Sequence, residues 1–200
     1  MEKLIELANK IEDEDLRKKV VEILRNPNLS NPYFKKYKKT EIEDVKYPFS
    51  LGGSVVEREL LNHTISVTEN CIAVADIIEK NYGIPINRDY LIAGALLHDI
   101  MKVFEWTLRN NKPEHSGILL DHSFLAVAEL YHRNFPEQVI HMIASHLQGE
   151  SGTTPPRSFE ALILHYVDTL ISLVEYHWGS INSPKAKYPV IILDEDIIKK

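Results

Sequence analysis

The sequence predicts an all-α protein, and three observations lead to that prediction. Apolar residues recur three and four positions apart through most of the 200 residues, as they do on the buried face of an amphipathic helix. Glycine and proline gather between these periodic stretches, where helices end. Strand character is confined to the tail segment YPVIILDEDII, and a lone strand in a helical protein is only marginally stable.

The first 57 residues are predicted to form a helical and then irregular N-terminal extension. Apolar residues at helical spacing run over positions 3–25, as one or two helices, and the segment NPNLSNP ends them with two prolines. Residues 33–59 are polar and irregular, and we expect no regular element there. They contain a lysine cluster that is typical of a solvated surface, with contact to a polyanion as the alternative; its members are Lys35, Lys36, Lys38 and Lys39.

From Leu60 onward the sequence predicts a bundle of helices. The stretch LLNHTISVTENCIAVADIIEKNYG has helical periodicity and closes on Gly83. A second helix, in NRDYLIAGALLHDIMKVFEW, has Asn87 or Asp89 as its cap, with Asp99 near its end. Three further helices are predicted at 118–134, 136–148 and 157–178. We expect residues 58–178 to form one domain, with residues 179–200 as a tail packed on it.

The composition is that of an ordinary globular domain and excludes several classes of protein. Hydrophobic residues make up 44% and charged residues 26% of the chain. The net charge of -6 disfavours a surface that coats nucleic acid. The single cysteine, Cys71, permits no intrachain disulfide, and the N-terminal stretch lacks the apolar region of a signal peptide. No apolar run reaches the ~18–20 residues of a membrane span. We therefore expect a soluble, cytoplasmic protein without membrane contact.

Five of the predicted helices each carry a metal-capable side chain in apolar surroundings. His98 and Asp99 are adjacent in LLHDIMK, where an uncompensated buried carboxylate would cost several kcal/mol, roughly. The other candidates are His63, His122, His146 and Asp168. Steps of 35, 24, 24 and 22 residues separate the five positions, and facing helices of a bundle commonly project ligands inward. Imidazoles mixed with carboxylates suit a divalent transition ion such as Fe, Mn, Ni, Co or Zn.

A second interpretation of the His98–Asp99 pair needs no metal. Lys102 lies three residues after Asp99, so the two side chains could form an ordinary ion pair along a helix. For Glu105 there are two interpretations, a position behind the metal ligands or an exposed position on the surface. His165 is predicted to be a core histidine, and Ser158 to cap the last helix rather than to bind an anion together with Arg157.

The order His63, His98–Asp99, Asp168 resembles the H…HD…D signature of the HD superfamily of metal-dependent phosphohydrolases, over residues 58 to about 177. LLHDIMK matches the pattern of two apolar residues, HD and a lysine three positions on, and Arg58 precedes His63 by five residues. The segment SHLQGESGTTPPRSFEALILHYVDTL is similar to the exoribonuclease branch of that superfamily. That branch often has a second histidine where this chain has Leu147.

The resemblance implies a helical HD-domain bundle that binds one or two divalent transition ions, with Fe or Mn favoured. The implied ligands of a first ion are His63, His98, Asp99 and Asp168. Further histidines of two-metal branches correspond to His122 and His146, which would hold a second ion together with Asp99. The resemblance makes Asp99 and Lys102 the expected catalytic residues, and Arg58 and Lys102 the expected contacts to the substrate phosphate.

Several functions fit this resemblance. The favoured one is a metal-dependent phosphodiesterase that hydrolyses a small nucleotide-like or cyclic phosphate ester. A short archaeal relative makes 7,8-dihydroneopterin 2′,3′-cyclic phosphate the named candidate. The second is a 3′-5′ exoribonuclease or another nuclease of single-stranded RNA, disfavoured because the residues before Arg58 lack the alternating strands of an OB fold. The others are a nucleotide-binding module without catalysis and a 5′-nucleotidase.

Overall fold

Eight α-helices and two short β-hairpins make up the described residues 1–51, 54–110, 112–147 and 154–181 of a computed structural model. The predicted helical class is confirmed. The strand-like tail and its expected packing on the domain lie outside the described residues, as do positions 148–153 of the loop before the last helix. None of the helices in the described ranges is long and apolar enough to span a membrane.

The elements follow one another along the chain as helices with two inserted hairpins. The helices are α1 (Glu2–Ala8), α2 (Glu14–Arg25), α3 (Leu60–Tyr82), α4 (Arg88–Leu97), α5 (Lys102–Glu105), α6 (His122–His132), α7 (Glu137–Ser145) and α8 (Phe159–Gly179). The antiparallel hairpins are β1 (Lys46–Leu51) with β2 (Ser54–Glu59), and β3 (Trp106–Arg109) with β4 (Lys112–His115).

The N-terminal helices are attached to the bundle through one carboxylate. Asp13 caps α2 by accepting hydrogen bonds from the backbone N–H groups of Asp15 and Leu16. The Asp89 carboxylate accepts the N–H groups of Glu12 and Asp13, both at 2.8 Å. Asn87, and not Asp89, caps α4, because its side chain accepts the N–H of Tyr90. Asp89 therefore links two parts of the chain that are distant in sequence.

Helix α4 forms the centre of the bundle. Residues Leu91–Leu97 are all buried, and α4 packs against α1, α2, α3, α7 and α8. At Gly94 the helices approach so closely that an added Cβ would lie 2.5 Å from Met142 Cε on α7. Helix α3 ends where Gly83 takes a left-handed conformation, with φ of 65°, which glycine adopts without strain.

Both hairpins occupy segments in which the sequence predicts no strand. In β1–β2, Tyr47 pairs with Arg58 across the ladder. Burial alternates along β2, as expected for a strand with one face on the core, but Arg58 is on the buried face. A buried arginine breaks the apolar alternation by which strands are recognised. The predicted irregular segment is therefore wrong over residues 46–51 and 54–59, as is the predicted helix end at Trp106, which begins β3.

Candidate metal centre

The six predicted ligands lie together in one buried cluster. They are His63, His98, Asp99, His122, His146 and Asp168. His63 and Asp168 project from within α3 and α8, whereas His122 is the first residue of α6. His98 directly follows α4 and His146 directly follows α7. The cluster therefore gathers where the first turn of α3 and the ends of α4, α6 and α7 meet the middle of α8.

The two oxygens of Asp99 face two different pairs of histidines. Oδ2 lies 3.5 Å from His98 Nε2 and 3.7 Å from His63 Nε2. Oδ1 lies 3.0 Å from His122 Nε2 and 3.7 Å from His146 Nε2. In each of the two groups, the ligand atoms of Asp99 and its two histidines lie within 4.8 Å of one another. A carboxylate in this position can be shared between two ions.

Asp168 joins the group that contains His63. Its Oδ1 lies 3.0 Å from His63 Nε2 and accepts a hydrogen bond from Ser172 at 3.3 Å. Burial would raise the pKa of Asp168, but the bond to His63 and the nearby His98 lower it. The carboxyl group is therefore ionised, as a metal ligand must be.

Contacts at Nδ1 set the orientation of three histidine rings. The Nε2 atom of each ring has no hydrogen-bond partner among the described residues. His98 Nδ1 lies 2.8 Å from the Ala95 carbonyl, and His146 Nδ1 lies 2.7 Å from the Ile143 carbonyl. Since a carbonyl only accepts, each Nδ1 carries the hydrogen, which leaves the lone pair of the neutral ring on Nε2. His122 Nδ1 lies 3.2 Å from Glu105 Oε2.

The surroundings of these Nε2 atoms show whether the side chains of the cluster fit a metal ion. The Nε2 atoms of His98, His122 and His146 are buried and have no hydrogen-bond partner among the described residues; the 3.0 Å contact of His122 with Asp99 is not aligned as a hydrogen bond. Buried polar atoms in proteins rarely lack a partner. Imidazole nitrogens held in this way are typical metal ligands, so the residues fit divalent ions.

Burial and charge set the protonation of the cluster. Burial lowers the pKa of His98 to about 4, so its ring is neutral. Burial would raise the pKa of Asp99, but the positive charge of Lys102 holds it well below its usual range. Burial and Lys102 would lower the pKa of His122, but the carboxylates of Asp99 and Glu105 raise it to about 9. A divalent ion would compete with a proton at His122.

Lys102 makes the ion pair that the second interpretation of the sequence proposed. Its Nζ lies 2.6 Å from Asp99 Oδ2 and 4.5 Å from the centre of the Tyr47 ring. The pair alone does not account for the cluster, because it involves one oxygen of Asp99 and leaves three imidazole nitrogens without a partner in the part of the chain that the structure describes. An ion pair and a metal centre are therefore compatible here.

Arg58 is buried behind His63, with 6% of its surface exposed. Its Nε donates to Glu175 Oε2 at 2.7 Å, and its Nη2 lies 2.6 Å from His63 Nδ1. Glu175 also contacts His63 Nδ1, at 3.1 Å. The sequence analysis did not identify Glu175, although its position seven residues after Asp168 places both on one face of α8. The expected contact of Arg58 with phosphate stays a prediction.

The other residues that the sequence singled out make structural contacts and are not members of the six-residue cluster. Glu105 is buried and accepts the His122 backbone N–H, so it lies behind a candidate ligand. His165 is a core histidine whose Nδ1 lies 2.7 Å from the His146 carbonyl. Ser158 caps α8 by accepting the Ala161 N–H. In the lysine cluster, Lys39 pairs with Glu41 at 3.2 Å.

Comparison with known proteins identifies the family. The HD domain model matches residues 60–190. Over 171 residues the chain is 47% identical to the dihydroneopterin 2′,3′-cyclic phosphate phosphodiesterase of Methanocaldococcus jannaschii, which covers 84% of this chain and 67% of that protein. Over 161 residues it is 32% identical to the 3′-5′ exoribonuclease YhaM of Bacillus subtilis and 31% identical to that of Bacillus velezensis, covering 74% of this chain in each case.

The chain spans about half of each exoribonuclease, 49% of its length. No solved structure gives a significant match. The matched HD region includes all six side chains of the buried cluster, from His63 to Asp168. The chain therefore belongs to the HD domain family.

Proposed function

We propose that this protein is a metal-dependent phosphodiesterase that hydrolyses a small cyclic phosphate ester. The observation that carries the proposal is the shared carboxylate: Asp99 presents one oxygen to His63 and His98 and the other to His122 and His146. The similarity to a cyclic phosphodiesterase at 47% identity supports the same reaction class.

The proposed ligands are His63, His98, Asp99 and Asp168 for one ion, and Asp99, His122 and His146 for the other. Divalent ions held there would lower the pKa of water and stabilise the charge of the phosphoryl oxygens. The protein orients the ligands through the carbonyls of Ala95 and Ile143 and through the Glu105 carboxylate. Fe or Mn is the proposed metal, because mixed imidazole and carboxylate ligands suit such ions.

In the proposed reaction, water adds to phosphorus and one ring P–O bond breaks. The proton released from water ends on the departing oxygen, so the product is a phosphate monoester. Lys102 lies beside Asp99, where its ammonium group neutralises charge that develops on the phosphate. Arg58 is part of the same proposed phosphate environment. Its contacts to His63 and Glu175 make it a buried positive charge at the cluster.

The substrate we propose is 7,8-dihydroneopterin 2′,3′-cyclic phosphate or a close analogue. A 3′-5′ exoribonuclease is the second candidate, supported by the similarity to YhaM. RNA binding needs several phosphate contacts, whereas the chain carries a net charge of -6. A cytoplasmic location is part of the proposal. We also propose residues 1–57 as an extension of the 58–178 domain, because Leu4, Leu24 and Leu96 belong to one core cluster.

A substrate panel tests the proposal. The protein is loaded with Fe²⁺ or Mn²⁺ without oxygen and assayed on 7,8-dihydroneopterin 2′,3′-cyclic phosphate, 2′,3′-cyclic nucleotides, nucleoside monophosphates and single-stranded RNA. We expect hydrolysis of the cyclic esters and little shortening of RNA. Lys102→Ala should lower kcat at least tenfold, roughly, with unchanged metal content, while Lys38→Ala serves as the matched control. Processive RNA shortening that is strongest at low salt would decide for the nuclease.

A further inference from the structure

Tyr47, on β1, has a buried hydroxyl group for which the described residues offer no partner. The residue is 3% exposed, and its hydroxyl makes no hydrogen bond within the described part of the chain. Its ring lies against two cations, with the ring centre 4.5 Å from Lys102 Nζ and 5.2 Å from Arg58 Cζ. Lys102 in turn contacts Asp99. Tyr47 is therefore next to the proposed metal centre.

Most of the buried polar side-chain atoms that lack a hydrogen-bond partner among the described residues belong to side chains of the buried cluster or to Tyr47, which packs beside it. Six buried side-chain nitrogen or oxygen atoms lack a partner among the described residues. Three are the Nε2 atoms of His98, His122 and His146, and a fourth is the hydroxyl of Tyr47, whose ring lies against the Lys102 ammonium group that contacts Asp99. A buried hydroxyl left unpaired is costly, so an unpaired hydroxyl on a side chain packed against this cluster indicates a bound ligand.

We propose that Tyr47 is a substrate-binding residue whose hydroxyl donates a hydrogen bond to a phosphoryl oxygen at this centre. This inference rests on the proposed function. A neutral phenol suits the role because it donates to an anion. Burial and the charge of Asp99 raise the pKa of Tyr47 well above its usual value. Tyr47 precedes the matched HD region, residues 60–190, so the N-terminal hairpin would add a group that the family model does not include.

The test removes one oxygen atom. Tyr47→Phe keeps the ring against Lys102 and loses the hydroxyl. Inorganic phosphate is the probe, and its dissociation constant for the Mn²⁺-loaded protein is measured by titration calorimetry. We expect about tenfold weaker phosphate binding, with unchanged metal content. Tyr176→Phe is the matched control, because the buried Tyr176 hydroxyl donates to the Leu51 carbonyl, and it should leave phosphate affinity unchanged.

Phosphate affinity equal to wild type in Tyr47→Phe would overturn the role of Tyr47, as would an equal loss in Tyr176→Phe. The phosphate measurement also separates this inference from the proposed function. If Tyr47→Phe weakens phosphate binding but the wild type hydrolyses no cyclic diester, the proposed function fails and the role of Tyr47 stands. If wild type and Tyr47→Phe hydrolyse the diester with equal kcat and KM, the role of Tyr47 is wrong and the proposed function stands.

A separate observation concerns the outer face of α8. Apolar side chains are exposed at every fourth position, each between 40% and 60%; they are Leu162, Tyr166, Leu170, Val174 and Trp178. The charged residues of α8 are Glu160, Asp168 and Glu175, and none of the three is exposed. Monomeric proteins rarely present a continuous apolar patch of more than a few hundred Å².

We infer that α8 of a second copy of this chain packs against this face. A row at four-residue spacing is the ridge that interlocks with an identical ridge when two helices cross at about −50°. A two-fold axis makes one such face complementary to itself. With 40% to 60% of each exposed, the five side chains offer about 600 Å² per copy, at the lower end of the roughly 600–1,000 Å² per partner of standard interfaces.

Sedimentation equilibrium tests the association. We expect a dimer for the wild type and a monomer for Leu170→Glu, with the same helix content by circular dichroism. Leu119→Glu is the matched control, because Leu119 is 94% exposed outside α8, and it should stay dimeric. A monomeric wild type at tens of micromolar, roughly, would overturn the inference. A monomer that dimerises only when residues 182–200 are removed would assign the face to that segment instead.

Discussion

The carboxylate of Asp99 joins the two groups of histidines at the scale of single atoms. Because each of its oxygens faces a different pair of imidazoles, no other side chain of the cluster can replace it. Asp99→Asn keeps the shape but removes the charge and one acceptor oxygen. We expect the purified variant to lose both ions, which elemental analysis of the metal content measures.

Asp76→Asn is the control for this change, since Asp76 is exposed and pairs with Arg88 away from the cluster. It should keep wild-type metal content. An Asp99→Asn protein that folds and retains both ions would disprove the shared-ligand arrangement.

His122 and His146 contact only the Oδ1 side of Asp99. We therefore expect His122→Ala or His146→Ala to lose one ion and to keep the ion at His63, His98 and Asp168. Metal content per chain by mass spectrometry checks this, with His132→Ala, at the exposed end of α6, as the control. If either variant folded but bound no metal at all, the division into two sites would be wrong.

At the scale of elements, the Asp89 carboxylate connects the start of α2 to α4. It accepts two backbone N–H groups at 2.8 Å, and each such bond contributes about 0.5–1.5 kcal/mol to stability. Asp89→Ala should therefore lower the free energy of unfolding by about 1–3 kcal/mol. Metal content should not change, because Asp89 is at the opposite end of α4 from His98.

Urea unfolding followed by circular dichroism measures the effect of Asp89→Ala. The control is Asp44→Ala, at an exposed acidic residue, which we expect to stay within about 0.5 kcal/mol of wild type. Equal midpoints for Asp89→Ala and wild type would show that the link contributes nothing.

The hairpin β1–β2 illustrates what a local pattern does not contain. Its inward residues include Tyr47 and Arg58, and an arginine in the sequence predicts an exposed position. Burial is possible because Glu175, more than a hundred positions later, supplies the opposite charge. Phe49 and Tyr47 also cover the guanidinium group. No pattern within residues 46–59 indicates these partners.

At the scale of the whole molecule, the proposed ligands come from segments spread between α3 and α8. An ion that binds them would connect segments that are distant in sequence, and only the folded state brings these side chains together. A divalent ion at a hundred times its dissociation constant should therefore add about 2.7 kcal/mol to the free energy of unfolding. Thermal unfolding with and without Mn²⁺ measures this gain. Asp99→Asn should show no gain, and an equal gain in that variant would contradict the assignment.

The sequence by itself determined the helical class, the positions of the main helices and the six members of the buried cluster. Helical periodicity is a local property of the sequence. Each imidazole or carboxylate group in apolar surroundings can likewise be recognised from the residues next to it in the sequence. Helix ends were less accurate: α6 and α7 are shorter than predicted, at His122–His132 and Glu137–Ser145. Cap geometry decides such ends, as Asp121 does for α6.

Only the tertiary structure decided which atoms face one another. It turned the two oxygens of Asp99 toward different histidines and placed Glu105 behind His122. It also brought Glu175 and Tyr47 beside the cluster from α8 and β1. Apart from the adjacent His98 and Asp99, these relations join residues between 17 and 112 positions apart, and they depend on how whole elements pack. A pattern read along the chain contains no information about such packing.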